Sequence, residues 1–139
     1  MDGGTYTLVL DRRRGAAAAI TVGALGDIDF GVDWYAYTGS ALGSGGFARV
    51  DRHRRLAAGD HDARHWHVDY LLGDDATGLD AVVTTAADAE CVVAERLCDD
   101  FAAVADFGCS DCGCHSHLVA ADDRDRLLSA VERAHAAAD

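Results

Sequence analysis

The stretch YAYTGSALGSGGFARVDRH, residues 35–53, joins a strand to a helix through glycines and decides the fold around it. Aromatic side chains predict a strand over Trp34 to Thr38. Gly43 to Gly46 give a flexible entry into a helix that we expect over Phe47 to Ala58. Helical spacing puts three residues that suit phosphate chemistry on one face of this helix: Arg49, Arg52 and His53.

Working outward, the triplet Tyr37-Thr38-Gly39 ends this strand and has a counterpart upstream in Gly4-Thr5-Tyr6. Glu90 follows downstream and is one of only three glutamates in an aspartate-dominated chain, which indicates that its side-chain length matters. A tyrosine oxygen can help activate water, an arginine can hold a phosphate and a glutamate can hold a metal ion. Together with Arg49, the ordered set suits phosphodiester hydrolysis.

This ordered set resembles the GIY-YIG nuclease superfamily, and within it a prokaryotic branch classed as a domain of unknown function. The resemblance runs from Gly4 to about Leu118, most of the chain. Six segments carry it: GTYTLVL from Gly4, ITVGALG from Ile20, YAYTGSALGSGGFARVDRH from Tyr35, HWHVDYLL from His65, Glu90-Cys91, and FGCSDCGCHSHL from Phe107. The Ala18 to Gly31 insert makes the gap between the triplets longer than in the best-known nucleases.

The resemblance implies a role for each group of the site. Tyr37 is the candidate general base and Tyr6 supports it, while Arg49 and His53 clamp the phosphate. Glu90 is expected to hold one divalent ion, Mg²⁺ or Mn²⁺, with several waters. Glu95 is the alternative ligand on the same predicted helix.

Three further residues around the second triplet are predicted to contact nucleic acid. Gly39 allows close backbone approach to a phosphate. Ser40 stands where some superfamily nucleases carry lysine, so it can donate a hydrogen bond but supplies no charge. Arg52 adds positive charge next to Arg49.

The segment HWHVDYLL alternates polar and apolar residues and predicts a strand with His65, His67 and Asp69 on one face. Two histidines at this spacing, with the aspartate, resemble a metal-ligand set. A polar outer face of an antiparallel strand explains the pattern equally well. His65 and His67 on a DNA-facing surface are a third interpretation, and the sequence leaves the three open.

A cysteine-rich run near residue 110 has the ligand types of a zinc site. Three thiols and an imidazole match tetrahedral zinc in number, here Cys109, Cys112, Cys114 and His117. All four lie within nine consecutive residues, whereas structural zinc sites usually pair two separated knuckles. A buried cysteine-rich turn is therefore the alternative, and an odd total of five cysteines argues against a disulfide framework.

The remaining pattern predicts one α/β (α+β) domain over residues 1–139, with a small, mainly antiparallel sheet flanked by helices as in the GIY-YIG fold. Its core covers about 4–118, and a C-terminal helix covers about 122–137. The other predicted elements are strands over Thr5 to Leu10, Ala18 to Val22 and Ala81 to Thr85, and helices over Ala87 to Asp99 and Asp122 to Ala137. The first two of these strands are expected to form a hairpin, followed by a loop over Gly23 to Gly31.

The charge pattern indicates a salt-adapted protein of a halophilic archaeon. The formal net charge is −12, from 24 acidic and 12 basic residues, and lysine is absent. At 1 M salt the Debye length is about 3 Å, so net acidity argues only weakly against a DNA ligand. No apolar run is long enough to span a bilayer and no signal peptide is recognisable, so we expect a cytoplasmic protein without membrane contact.

Taken together, the sequence predicts a metal-dependent DNA endonuclease of DNA repair or processing, with DNA as its substrate and a DNA-repair protein as a candidate partner. The competing interpretation is a nucleic-acid-binding or partner-docking module that keeps the GIY-YIG fold without turnover, with zinc as a structural ion. The enzyme requires Tyr6, Tyr37, Arg49 and Glu90 to converge at one place.

Overall fold

The computed structural model describes residues 3–12, 19–21, 26–29, 33–41, 46–59, 67–73, 77–104 and 116–138. Seven strands and four helices are found in these ranges. They are, in chain order, β1 (Thr5–Arg12), β2 (Ala19–Thr21), β3 (Asp27–Asp29), β4 (Trp34–Ser40), α1 (Ala48–Ala57), α2 (His67–Leu72), β5 (Thr77–Thr85), α3 (Glu90–Asp100), β6 (Ala102–Ala103), β7 (Leu118–Ala121) and α4 (Arg124–Ala138).

Five strands form one antiparallel sheet in the order β5-β1-β4-β7-β6, with β1 paired on both sides. The register of β1 and β4 sets Tyr6 opposite Gly39 and Leu8 opposite Tyr37. Because side chains alternate along a strand, Tyr6, Leu8 and Tyr37 lie on the same face of the sheet. The two tyrosines of the triplets are thereby brought to one side.

Each face of the sheet has its own hydrophobic core. The first face, with both tyrosines, packs against Val50 and Leu56 of α1 and Leu71 of α2. The second face, which includes Val9 and Ala36, packs against α3 and α4, mainly through Val93, Leu97, Leu127 and Val131. Helices on both faces of an antiparallel sheet confirm the predicted α+β class.

Buried threonines attach the C-terminal helix to the second face of the sheet. His135 of α4 is buried, and its Nε2 lies 2.7 Å from Thr7 Oγ1 while its Nδ1 lies 2.9 Å from Thr85 Oγ1. Thr7 Oγ1 in turn lies 2.9 Å from Thr38 Oγ1. This buried polar cluster ties α4 to β1, β4 and β5.

The predicted hairpin between β1 and β2 is wrong. The structure pairs Ala19–Thr21 with Asp27–Asp29, a strand in the segment predicted as a loop. The reason is that β4 and β5 already occupy both edges of β1. Among the described residues, no helix is long and apolar enough to cross a membrane.

The predicted strand over HWHVDYLL is also wrong, because His67–Leu72 form helix α2. Its buried residues Val68, Leu71 and Leu72 recur at helical spacing and reach the first core. Asp69, predicted on a polar outer face, is fully buried. His65 and the side chain of His67 lie outside the described residues, so their predicted contacts to metal or nucleic acid are not addressed by the structure.

An ion pair joins α1 to α2. Both terminal nitrogens of Arg52 donate to the two carboxylate oxygens of Asp69, at 2.9 Å each. The Arg52 side chain is only 16% exposed and that of Asp69 is 0% exposed. The Arg52 guanidinium was predicted to contact nucleic acid. In the structure it neutralises the buried Asp69 carboxylate and positions α1, the helix that carries Arg49 and His53.

We expect Asp69→Asn to lower the free energy of unfolding by about 2–3 kcal/mol, because it removes a charged partner from a largely buried guanidinium. Urea unfolding in molar KCl measures the effect. The matched control is Asp80→Asn, which breaks the exposed pair between Arg124 and Asp80 and should change stability much less. Equal losses in the two variants would contradict a structural role for the buried pair.

Candidate active site

Tyr6 and His53 are in direct contact inside the first core. Tyr6 on β1 is 2% exposed and His53 on α1 is 0% exposed. The Tyr6 hydroxyl lies 2.8 Å from His53 Nε2, a short hydrogen bond between residues 47 positions apart. The bond holds the second turn of α1 against the start of β1.

Tyr37 completes a group of three neighbouring rings with these two residues. Its ring centroid lies 6.5 Å from that of Tyr6 and 6.5 Å from that of His53. Tyr37 is 8% exposed, so it is buried but the least enclosed of the three. We call Tyr6, Tyr37 and His53 the ring trio.

Burial keeps the ring trio uncharged near neutral pH. It raises the pKa of both phenols well above the usual range, against the opposing positive charge of Arg49. It also lowers the pKa of His53 to about 4, with Asp69 opposing that shift. With the imidazole proton on Nδ1, His53 Nε2 accepts the hydrogen bond from the Tyr6 hydroxyl.

Both glycines of the two triplets are required by close packing. A Cβ at Gly39 would overlap the hydroxyl end of the Tyr6 ring, and a Cβ at Gly4 would overlap the backbone carbonyl of Thr85. Gly39 is buried beneath that ring. Its lack of a side chain is therefore explained by Tyr6, a reason different from the predicted approach of a phosphate.

Arg49 lies beside the ring trio at the start of α1. It is half-buried, and its Nη1 donates a hydrogen bond to the backbone carbonyl of Ser40. Its positive charge lowers the pKa of Tyr6 and of Tyr37, against the larger effect of burial. The backbone carbonyl of Ser40, at the end of β4, is thus the group that contacts Arg49.

Glu90 is the first residue of α3, the helix that packs on the second face of the sheet. Thr5 fixes the start of this helix, because its hydroxyl donates to the carbonyl of Ala87 at 2.8 Å and accepts from the amide of Ala89 at 2.9 Å. These bonds explain why α3 begins at Glu90 and not at Ala87 as predicted. The Glu90 side chain is 26% exposed, and its negative charge raises the pKa of both Tyr6 and Tyr37.

Glu90 also has two neighbours that sequence reasoning did not assign to it. Cys91 and His117 each present one ligand atom, and these atoms and a Glu90 oxygen all lie within 4.8 Å of one another. Glu90 Oε2 is 3.4 Å from His117 Nδ1. His117 was predicted to join Cys109, Cys112 and Cys114 in a zinc site, and those three cysteines lie outside the described residues.

A family model for the Domain of unknown function DUF123 matches residues 5–139. The chain belongs to the DUF123 family. The match extends from the start of β1 through α4, so Thr5 and Tyr6 of the first triplet and the whole second triplet fall within the DUF123 region, as do Arg49, Glu90 and His117. No curated protein and no solved structure matches the chain.

The DUF123 chain thus brings one set of predicted residues together. The ring trio is in contact, and the charges of Arg49 and Glu90 reach both of its phenols. A partly exposed carboxylate such as that of Glu90 fits a hydrated Mg²⁺ ion, which proteins often hold through one or two carboxylates. Glu95, the alternative ligand, is exposed on α3 and is not part of the Glu90 cluster.

The low pKa of His53 predicts a specific loss of stability in acid. In the unfolded chain a histidine takes up a proton near pH 6.5, whereas folded His53 does so only near pH 4. Folding is therefore opposed increasingly as the pH falls from 6.5 to 4, by about 3 kcal/mol at most. Burial also lowers the pKa of His117 and His135, so they add to the same trend.

Urea unfolding of the wild type and of His53→Gln between pH 7.5 and 4 isolates the contribution of His53. Glutamine retains an acceptor for the Tyr6 hydroxyl but does not titrate, so the variant should lose less stability than the wild type over this range. His117 and His135 are present in both proteins and cancel in the comparison. Parallel stability curves would show that His53 is not kept neutral by the fold.

Proposed function

We propose that this chain is a metal-dependent DNA endonuclease of the GIY-YIG type, which hydrolyses phosphodiester bonds in DNA repair or processing. The observation that supports it most is the meeting of the ring trio with the charges of Arg49 and Glu90. The five residues come from β1, β4, α1 and α3, and a shared location is what the proposed reaction requires.

The neutral state of the ring trio defines how it handles a proton. A phenol with a raised pKa is not a standing phenolate base, so Tyr37 would position the attacking water through its hydroxyl. It would assist deprotonation only by relay, passing its own proton to solvent as it takes one from the attacking water. The Tyr6 hydroxyl, next to it, is bonded to the unprotonated Nε2 of His53. His53 therefore orients the Tyr6 hydroxyl by accepting its hydrogen bond, while the low pKa of the imidazole leaves the proton on the phenol.

The more exposed residues handle charge on the phosphate. Arg49 lies half-buried next to the ring trio, and its guanidinium can bind two phosphate oxygens once it turns from the Ser40 carbonyl. Glu90 would hold a Mg²⁺ or Mn²⁺ ion, which when bound supplies positive charge at the scissile phosphate. Selectivity among DNA substrates would come from DNA shape or from a DNA-repair partner protein.

The proposal predicts that Glu90→Gln abolishes cleavage of branched, nicked or plasmid DNA in molar KCl with Mg²⁺. The change removes the carboxylate charge but keeps the size of the side chain. Glu95→Gln is the matched control, because Glu95 is an exposed glutamate on the same helix. A gel assay should show at least about a 100-fold slower rate for Glu90→Gln, equivalent to about 2.7 kcal/mol in the barrier, and a near wild-type rate for Glu95→Gln.

Cleavage by Glu90→Gln at the wild-type rate would contradict the proposal, as would an inactive wild type on all three substrates. Circular dichroism of each variant separates loss of activity from loss of fold. Tyr37→Phe should be impaired in the same assay without loss of DNA binding, because it removes only the hydroxyl that positions water.

A second function is favoured by the burial of the site. Tyr6 and Tyr37 are 2% and 8% exposed, and Arg52 is engaged with Asp69. Tyrosines this buried reach a substrate poorly, which suits a nucleic-acid-binding or partner-docking module that has lost turnover. Fluorescence anisotropy with labelled DNA distinguishes the two functions, because the module binds without cleavage and its affinity does not change when Mg²⁺ is added.

The excess of aspartate predicts opposite effects of salt on stability and on binding. With a net charge of −12, self-repulsion extends over about 30 Å at 0.01 M salt but only about 3 Å at 1 M. Phosphate contacts weaken as salt rises, with a slope of about −0.9 per neutralised phosphate, and Arg49 is the main candidate contact. Cleavage should therefore peak at molar KCl.

Thermal unfolding and cleavage measured across one KCl series test both effects. The melting temperature should rise with KCl while the affinity for DNA falls only slightly. Greatest stability in dilute buffer would contradict the salt adaptation inferred from the sequence.

A further inference from the structure

The side chains of Glu90, Cys91 and His117 offer three different ligand atoms at one point of the structure. A carboxylate oxygen, a thiol sulfur and an imidazole nitrogen all lie within 4.8 Å of one another. We propose that they form a binding site for a thiophilic divalent ion of the zinc class. The site shares His117 with the zinc set predicted from the sequence and Glu90 with the metal site of the proposed nuclease, so a zinc-class ion and Mg²⁺ would compete for Glu90. It needs no DNA cleavage to exist.

The spacing of the ligand atoms matches such an ion. With zinc–oxygen and zinc–nitrogen bonds of about 2.1 Å at tetrahedral angles, the two ligand atoms stand about 3.4 Å apart. Glu90 Oε2 and His117 Nδ1 are 3.4 Å apart, longer than a usual hydrogen bond. The corresponding nitrogen–sulfur separation is about 3.6 Å. The Cys91 sulfur lies within 4.8 Å of both other ligand atoms, so it would have to move by about 1 Å at most.

The backbone holds the three ligands in place from two directions. Thr5 fixes the start of α3, and with it Glu90 and Cys91, through its bonds to Ala87 and Ala89. His117 is buried, and its carbonyl accepts a hydrogen bond of 2.9 Å from the amide of Thr38 on β4. The cluster therefore lies where β1, β4 and α3 meet.

The ligand types select among metals. Mg²⁺ prefers six oxygen ligands and keeps several waters, so a thiolate and an imidazole contribute little to its binding. Zinc-class ions bind sulfur, nitrogen and oxygen together in tetrahedral sites. Three protein ligands leave a fourth position open, which is the arrangement of catalytic and not of structural zinc sites.

Cobalt(II) substitution tests the site directly. A thiolate bound to Co²⁺ gives a sulfur-to-metal charge-transfer band in the near ultraviolet, and tetrahedral coordination gives intense visible bands. We expect both in the wild type without DNA, and loss of the charge-transfer band in Cys91→Ser. The matched control is Cys98→Ser, which removes the other described cysteine of the same helix, outside the cluster.

A second variant keeps the test decisive if the cysteine run also binds metal. In Cys109→Ser/Cys112→Ser/Cys114→Ser the Co²⁺ bands assigned to Cys91 should persist. Zinc competition should show binding weakened more than about tenfold by Cys91→Ser or His117→Ala but not by Cys98→Ser. Unchanged spectra and zinc affinity in Cys91→Ser, or loss of all bands in the triple variant alone, would overturn the proposal.

These measurements do not depend on the proposed nuclease activity. Absence of the Co²⁺ bands with cleavage intact in Mg²⁺ would refute the zinc-class site and leave the nuclease standing. If the Co²⁺ bands depend on Cys91 and no DNA substrate is cleaved, the metal site would be established and the proposed nuclease activity refuted.

Discussion

The packing of Tyr6 over Gly39 is the constraint on which the rest of the site depends. The β1–β4 register sets these two residues opposite each other, and a Cβ at Gly39 would overlap the tyrosine hydroxyl. The ring therefore lies across β4 and extends to His53 on α1, where its hydroxyl is bonded. A one-residue slip of register would turn Tyr6 to the other face and break every one of these contacts.

Local patterns predicted much of this arrangement, because they concern neighbours in sequence. Strand alternation located β1 and β4, and helical spacing located α1, on which His53 is carried. The resemblance placed Tyr6 and Tyr37 in one site, which the periodicity of the sequence alone does not do. HWHVDYLL misled the prediction, because its alternation over a few residues is also compatible with a helix whose buried positions are Val68, Leu71 and Leu72.

Contacts between distant segments were beyond the sequence. Arg52 was predicted to be a surface charge, because no residue near it in the chain indicates that Asp69, 17 positions later, is a buried carboxylate. His117 was grouped with the cysteines that precede it, whereas it lies beside Glu90 across the gap between α3 and β7. Arg52 and His117 both lie in segments that carry the family resemblance. That resemblance was the sequence signal available that the two residues have contacts elsewhere in the fold.

The candidate site separates buried neutral side chains from more exposed charged ones. The ring trio is buried and neutral, so it does not attract a polyanion. Arg49 and Glu90 are more exposed and carry the charges. A phosphate would therefore meet Arg49, and any ion on Glu90, before it reaches Tyr37. In molar salt, where attraction extends only about 3 Å, that first contact has to be made by close geometry and not by the field of the whole protein.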